Sequence, residues 1–164
     1  MAFEGSYLWR LRQRIGSELV LMPGAMAAVL DEDQRVLLTK RRDDRSWCLP
    51  AGAAEPGGSF AQTAIDELAE ETGLEVEESD LVPFGCLSEA ESHTIRYPSG
   101  DLTHCFALLF LVRSWRGQLR PDRSEVTEAQ FVDIDRLPDP LHPPTRDALS
   151  LLRSHLRSGT FQVR

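Results

Sequence analysis

Three glutamates lie close together in one predicted helix, as Glu67, Glu70 and Glu71 of the segment ELAEE. Residues three and four positions apart share one helix face, so this spacing predicts that the three carboxylates converge. Like charges at this spacing destabilise a helix, and negative charge near its C-terminus opposes the helix dipole. Such a local conflict is typical of a functional site, and clustered carboxylate oxygens suit a hard divalent cation such as Mg²⁺ or Mn²⁺. The alternative interpretation is a solvated acidic helix face.

A glycine-rich loop at 51–58 precedes this helix and contains Ala, Gly, Pro and one Glu. Glycine allows the backbone to approach a ligand closely, so the loop and the carboxylates together predict a phosphate-handling site. Ser59 followed by Gln62 predicts a capping box at the start of the helix, and Gly73 predicts its end. One apolar stripe at helical spacing is expected to pack on a sheet, namely Ala61, Ala64, Ile65, Leu68 and Thr72.

The rest of the chain predicts the elements that position this site. Pro23-Gly24 is expected to interrupt the first strand, and a turn at 31–34 is expected to join the first two strands as a hairpin. Residues 88–103 are predicted to form an exposed loop or hairpin. The irregular alternation of strands and helices indicates an α/β sandwich with a mixed sheet. We predict helices at 7–15, 59–73 and 145–157, and strands at 19–30, 35–40, 47–50, 81–87, 104–112 and 129–133.

Composition restricts the class of protein. The chain has 164 residues and a formal net charge of −8, which makes nucleic acid an unlikely partner because backbone phosphates need a basic surface. The three cysteines, Cys48, Cys86 and Cys105, are widely spaced and indicate neither a zinc site nor a disulfide framework. The apolar run at 105–112 is too short to span a bilayer, and no signal peptide is recognised, so we expect a cytoplasmic protein with no membrane partner.

The 52–74 segment resembles the Nudix box, whose pattern is Gly, five residues, Glu, seven residues, then Arg-Glu-aliphatic-x-Glu-Glu-x-Gly-aliphatic. Two positions depart from it, since Gly58 replaces the first glutamate and Asp66 replaces the arginine. The resemblance implies a Nudix-like α/β/α sandwich with a mixed sheet, as a single domain over 1–164 with an N-terminal extension at 1–18. Seven of the nine defined positions match, namely Gly52, Glu67, Leu68, Glu70, Glu71, Gly73 and Leu74.

The same resemblance implies an activity and assigns residues to it. It implies a divalent-metal-dependent pyrophosphohydrolase that cleaves a nucleoside diphosphate linked to another moiety, with Mg²⁺ as cofactor and Mn²⁺ as an alternative. Glu67, Glu70 and Glu71 are expected to bind the metal. The catalytic base is expected to be Glu67 or Glu125, because the segment around Glu125 resembles an acidic loop that approaches the metals in the family. Glu128 lies in the same segment and is a weaker candidate.

A second function stays open because of the two departures. Gly58 and Asp66 would weaken the metal site, so the chain could instead be a Nudix-fold module that binds a nucleotide, or regulates, without efficient turnover. The intact glutamates favour the enzyme. Where some Nudix subfamilies carry a substrate-diagnostic motif, this chain has the residues 89–91, which indicate no particular nucleotide derivative.

A basic cluster follows the second predicted strand and supplies candidates for phosphate binding. We assign Lys40 and Arg42, together with Gly52, to the substrate phosphates, since lysine and arginine both bind phosphate oxygens; the alternative is a charged turn. Trp47 could stack on a base but is predicted to be core, and the four histidines form no recognisable constellation. Nudix proteins are often homodimers, so the helix at 7–15 is a candidate dimer contact, or else a cover for the sheet.

Overall fold

The computed structural model describes residues 4–164. A short 3₁₀ turn at Glu78–Asp80 follows β5. In chain order the described helices and strands are α1 (Tyr7–Ile15), β1 (Val20–Val29), β2 (Val36–Arg41), β3 (Trp47–Cys48), β4 (Ala51–Ala53), α2 (Phe60–Thr72), β5 (Leu74–Glu75), β6 (Val82–Leu87), α3 (Ala90–His93), β7 (Thr94–Arg96), β8 (Leu102–Val112), β9 (Arg116–Gly117), β10 (Val126–Val132), α4 (Pro143–Ser158) and β11 (Gln162–Val163).

A mixed sheet of six strands forms the centre of the molecule. Its strands run in the order β11-β6-β8-β1-β4, and β7 pairs with the end of β8. The two longest strands, β1 and β8, are parallel and pair over the whole of β1. Strand β4 is antiparallel to β1 and β6 is antiparallel to β8, whereas β11 is parallel to β6. A second sheet has the antiparallel order β10-β2-β3, and β5 pairs with β9 in a small third sheet.

The two faces of β1 bury different helices, as the period-2 alternation of a strand requires. One face packs Ala25, Ala27 and Val29 in a cluster with Ala64 and Leu68 of α2. The opposite face contributes to a cluster with α4, whose buried members include Met26, Ala28, Leu30, Ala148, Leu149 and Leu152. Full burial of each large aliphatic side chain is worth about 1.5–3 kcal/mol, so both helices are held mainly by this packing. The α/β/α sandwich with a mixed sheet is confirmed.

The predicted hairpin between the first two strands is wrong. β1 and β2 meet at an isolated bridge between Leu30 and Val36, and β2 then enters the second sheet beside β3 and β10. The predicted break at Pro23-Gly24 is also wrong, because Pro23 lies within β1 and its carbonyl accepts a hydrogen bond from the amide of Ala54. Both errors have one cause: the partner of β1 is the distant strand β8, which local sequence does not reveal.

The caps of α2 follow the prediction in part. The Ser59 hydroxyl accepts a hydrogen bond from the Gln62 amide at 3.0 Å, but the Gln62 side chain donates to Asp66 Oδ1 at 2.7 Å instead of returning to Ser59. The capping box is therefore half formed. Gly73 ends the helix in the left-handed region with φ 74°, and its amide donates to the Ala69 carbonyl, as predicted.

The segment at 88–103 forms the predicted hairpin in part, because β7 pairs antiparallel with the start of β8. It contains α3 and β7, and the side chain of His93 at the end of α3 is fully buried. Trp47 is buried in the core cluster beside α4, as predicted. The three cysteines are free thiols. Within residues 4–164, no helix is both long enough and apolar enough to cross a membrane.

Helix α1 is fixed to the sheet by one buried arginine. The Arg12 guanidinium donates to the carbonyls of Gly16, Glu18 and Leu102, and to the hydroxyl of Thr103 at 3.0 Å. At the other end of α1, the amide of Tyr7 donates to Glu55 Oε1 at 2.7 Å. Helix α1 therefore crosses from the start of β8 to the loop before α2. Its use as a dimer contact stays a prediction.

We predict that Arg12→Met detaches α1 while the sheet stays folded. The substitution removes four hydrogen bonds from a charged donor and leaves their acceptors unpaired, at about 1–3 kcal/mol for each buried group. Limited proteolysis should show cleavage within α1 at least about tenfold faster than in the wild type. Arg14→Met, at an exposed position of the same helix, is the matched control. Equal cleavage rates for the two variants would show that Arg12 does not hold α1.

Candidate active site

Three carboxylates meet at the edge of the central sheet. Glu67, Glu71 and Glu125 each offer one oxygen, and these oxygens lie within 4.8 Å of one another. Glu67 and Glu71 are one turn apart on α2, and Glu125 comes directly before β10. The site therefore combines a helix packed on one sheet with a segment entering the other.

Glu71 is the most deeply buried of the three, with 7% of its surface exposed. The hydroxyl of Thr39 on β2 donates to Glu71 Oε2 at 3.0 Å, and the Ala51 amide donates to the same carboxylate. Burial, and then the charge of Glu67, raise the pKa of Glu71 to about 8. The carboxylate is thus fixed in position by two strands, and no cationic side chain within residues 4–164 forms an ion pair with it.

Glu67 occupies the space beside Gly52. A Cβ added to Gly52 would lie 1.6 Å from Glu67 Oε1, so only glycine admits the carboxylate here. Gly24 in turn admits β4, because a Cβ there would lie 2.3 Å from the Gly52 carbonyl oxygen. The predicted close approach at Gly52 is present, but the neighbouring group is the side chain of Glu67. Burial, then the charges of Glu125, Glu70 and Asp66, raise the pKa of Glu67 to about 7.

The other predicted acidic candidates are placed differently. Glu70 is exposed and lines the same cleft without joining the trio, and its charge helps to raise the pKa of Glu125 after burial, the larger cause. Glu128 forms an ion pair with Lys40 at 2.9 Å. The trio that the structure brings together is therefore Glu67, Glu71 and Glu125, in place of the predicted Glu67, Glu70 and Glu71.

The basic cluster divides in the structure. Lys40 is held by its ion pair with Glu128 and lies 5.2 Å from the ring centre of Trp47. Arg41 and Arg42 are among the described residues that line the cleft. The Arg42 guanidinium donates to the Arg123 carbonyl at 2.7 Å, and that of Arg41 forms an ion pair with Asp43 at 2.6 Å. The cation placed in the cleft beside Arg42 is therefore Arg41, rather than the predicted Lys40.

The carboxylates stand at one end of a cleft of about 1380 Å³. Its walls include α1, which lies before the first strand, and two histidines that sequence analysis did not single out, His93 and His142. His142 is 8% exposed, and burial followed by the charge of Arg41 lowers its pKa to about 4, which leaves the ring neutral at physiological pH. These histidines are about fifty positions apart, so only the strand topology brings them to one cleft.

Comparisons with known proteins agree on one family. The NUDIX domain matches residues 20–152. A protein of Bacillus subtilis (strain 168), provisionally named 8-oxo-dGTP diphosphatase, is 48% identical over 116 residues, which are 70% of this chain and 68% of that protein. A second protein of that strain, provisionally named ADP-ribose pyrophosphatase YjhB, is 33% identical over 132 residues, which are 79% of this chain and 59% of that protein.

A solved structure gives the same result for the fold. The MutT NUDIX hydrolase from Burkholderia pseudomallei superposes with a TM-score of 0.69 at 24% identity, over 81% of this chain and 98% of that one. The chain belongs to the NUDIX family and is a MutT-like Nudix hydrolase, an enzyme acting on diphosphate bonds. Nudix enzymes generally need divalent metals, which agrees with a cluster of carboxylate oxygens.

We predict that Glu71→Gln stabilises the metal-free protein at high pH. The pKa of Glu71 is about 8 in the folded state, against an ordinary value of 4.5. Protonated Glu71 therefore contributes to the free energy of unfolding in full below pH 4.5, and this contribution is lost as the pH rises through 8. Glutamine keeps the volume and cannot ionise. Urea unfolding in EDTA should show the variant gaining about 1 kcal/mol or more over the wild type between pH 5.5 and 8.5. Exposed Glu70→Gln is the control. A Glu71→Gln protein less stable than wild type at pH 8.5 would make Glu71 a structural residue.

We also predict that Gly52→Ala displaces Glu67 without unfolding the protein. The added methyl group would overlap the carboxylate, which is the free end of a side chain and can rotate away. Mn²⁺ affinity, measured by titration calorimetry, should fall by about tenfold or more while the circular dichroism spectrum is unchanged. Gly58→Ala is the matched control, because its nearest neighbour would be the Glu55 carbonyl oxygen at 3.2 Å. Unchanged Mn²⁺ affinity in Gly52→Ala would remove Glu67 from the metal site.

Proposed function

We propose that this chain is a divalent-metal-dependent pyrophosphohydrolase that cleaves a nucleoside diphosphate linked to another moiety. One observation carries the proposal: Glu67, Glu71 and Glu125 bring carboxylate oxygens within 4.8 Å of one another in a partly buried cleft. Three carboxylates at this distance repel one another unless they are protonated or share a cation. Burial is the first cause of the raised pKa of each group, and repulsion within the trio raises the pKa of Glu67 and Glu71 further.

The donor set fits a hard divalent cation. Carboxylate oxygens are the ligands that Mg²⁺ and Mn²⁺ prefer, and Mg²⁺ commonly keeps several waters beside one or two carboxylates. Glu67, Glu71 and Glu125 would hold the ion, with exposed Glu70 at the border of the site. Such an ion supplies charge stabilisation for the phosphoryl oxygens and lowers the pKa of a bound water.

The surroundings of each of the three glutamates indicate its role in the reaction. Glu71 is held by Thr39 and Ala51, so its orientation is fixed and it suits a ligand rather than a proton carrier. Glu67 has a pKa of about 7, close to the operating pH that favours general base catalysis. Glu125 lies opposite α2 and is the second candidate for accepting the proton of the attacking water.

The arginines of the cleft offer binding to the phosphates. Arg41 is the last residue of β2 and Arg42 follows it, and both line the cleft that contains the carboxylates. A guanidinium can donate two parallel hydrogen bonds to phosphate oxygens. We assign phosphate binding to Arg42 and Arg41, and Arg41 would exchange its ion pair with Asp43 for the phosphate. We propose no such contact for Lys40, which is not among the described residues that line the cleft.

The relatives suggest which substrates to test. Their names refer to 8-oxo-dGTP and to ADP-ribose, both of which contain a nucleoside joined to a diphosphate group. We propose a nucleotide of this class as the substrate. A nucleotide-binding module without efficient turnover is the second candidate, and Gly58 and Asp66 are the observations that favour it.

The test is formation of nucleoside monophosphate from 8-oxo-dGTP, dGTP, ADP-ribose and a nucleotide sugar, followed by chromatography. Each reaction is run with Mg²⁺, with Mn²⁺ and with EDTA, and with Glu71→Gln as the inactive control. Metal-dependent release that Glu71→Gln abolishes is the expected result. No release from any substrate, with Mn²⁺ binding shown separately by titration, would replace the enzyme by the binding module.

We predict that restoring the two family positions raises the rate. Asp66 is exposed and adds negative charge beside Glu67, and Gly58 adopts no left-handed conformation that would exclude a side chain. Gly58→Glu with Asp66→Arg should therefore increase kcat on the best substrate of the panel by about tenfold or more, the usual effect of groups that support metal ligands. Asp66→Asn, which removes the charge alone, is the control. An unchanged kcat would mean that other residues already supply this support.

A further inference from the structure

The end of the cleft farthest from the carboxylates contains one buried polar group without a partner. His93 lines the cleft, and its side chain is fully buried. Its Nδ1 atom has no hydrogen-bond partner among the described residues. Leu87, Ile95 and Ala107 line the same end, so the surroundings are otherwise largely apolar. Leaving a buried polar atom unpaired is costly, which makes such an atom exceptional in a folded protein.

The other ring nitrogen determines what Nδ1 can do. His93 Nε2 lies 3.2 Å from Asp147 Oδ2, and the other oxygen of Asp147 accepts from the Arg164 guanidinium at 2.6 Å. An ionised carboxylate can only accept, so Nε2 carries the proton. Burial lowers the pKa of His93, which leaves the ring neutral. Nδ1 is then a hydrogen-bond acceptor whose orientation is fixed by Asp147.

The strand register gives the distance between the two ends of the cleft. Ala53, one residue from Gly52, pairs with Gly24; Gly24 pairs with Ala107; and Ala107 pairs with Leu87. These three strand spacings of about 4.8 Å separate the carboxylate end from the His93 end by about 15 Å. The phosphates and the base lie at opposite ends of a nucleotide, so one nucleotide can place its phosphates at the carboxylate end of the cleft and its base at the His93 end.

Helix α1 covers the interval between the two ends. Leu8, Trp9 and Gln13 of α1 line the cleft, and the contacts of Arg12 and Tyr7 described above hold the helix across it. Helix α1 therefore covers the cleft, and His93 Nδ1 is the one buried side-chain polar atom among the described residues that has no hydrogen-bond partner. Such a site selects a ligand by its donor pattern, because an acceptor placed against Nδ1 would leave two lone pairs facing each other.

We propose that His93 determines substrate specificity by accepting, at Nδ1, a hydrogen bond from an N–H group on the heterocyclic base of the substrate. The proposal rests on the proposed function, since it takes the carboxylate end as the site of the phosphates. His93 contacts no reacting atom in this assignment. It discriminates between bases that present a donor at this position and bases that present a lone pair or a C–H group.

The test measures binding of product-like nucleotides to the intact chain in EDTA, by titration calorimetry. Two matched pairs differ at one edge of the base: 8-oxo-dGMP has N7–H where dGMP has a lone pair, and AMP has a 6-amino group where purine riboside monophosphate has hydrogen. In at least one pair, the wild type should bind the donor-bearing member at least about fivefold more tightly, the effect of one unmatched hydrogen bond.

Two variants separate recognition from structure. His93→Gln can still donate to Asp147 from its amide nitrogen but removes the acceptor at Nδ1, so the affinity ratio should fall to within about twofold. His93→Asn places an amide oxygen near the Nδ1 position and should keep the ratio. Nitrogen-15 NMR of the wild type gives a measurement without substitution: the Nδ1 resonance should move on addition of the donor-bearing nucleotide and stay in place with its partner.

The proposal is overturned if neither pair is discriminated by the wild type, if the ratio survives in folded His93→Gln, or if the Nδ1 resonance does not respond. Failure of the proposed function gives a different result. It would appear as absent metal-dependent turnover in the substrate panel, while these measurements in EDTA depend on neither metal nor turnover.

Discussion

Mutual repulsion among three carboxylates, one buried and two half-buried, is the constraint on which the rest of the structure depends. Glu67, Glu71 and Glu125 are brought within 4.8 Å of one another, and no arrangement of their own helix would favour this. The cost appears in the pKa values of Glu67 and Glu71, which burial raises first and the charges of the trio raise further. A fold tolerates such a cost only where packing elsewhere fixes the elements that carry the charges.

That packing comes from the two faces of β1. Helix α2 is buried against one face through Ala64 and Leu68, so Glu67 and Glu71 are carried to the edge of the sheet with the helix. Gly24 and Gly52 then remove the two side chains that would keep β1, β4 and Glu67 apart. Thr39 reaches Glu71 from the second sheet, and the same sheet contains β10, which Glu125 precedes. The carboxylate cluster thus lies at a junction between two sheets.

Local patterns in the sequence predict some of this and miss the rest for physical reasons. Helical spacing predicts α2 and its glutamates, and Gly73 predicts the end of that helix, because these features depend on neighbours in the chain. The hairpin between β1 and β2 is a wrong prediction because the parallel pairing with β8 is made by residues about eighty positions away. The ion pair of Lys40 is missed for the same reason, since its partner Glu128 comes from β10. His93 lies in a stretch that reads as loop, and only the tertiary structure buries it.

The central claim is that Glu67, Glu71 and Glu125 form one cation site. Crystals soaked in Mn²⁺ and measured near the manganese absorption edge test it directly, because anomalous scattering locates the ion independently of activity. The account predicts an anomalous difference peak within coordination distance of an oxygen from each of these three glutamates. A peak that involves Glu70 without Glu125, or no peak on α2 at full Mn²⁺ saturation, would contradict it.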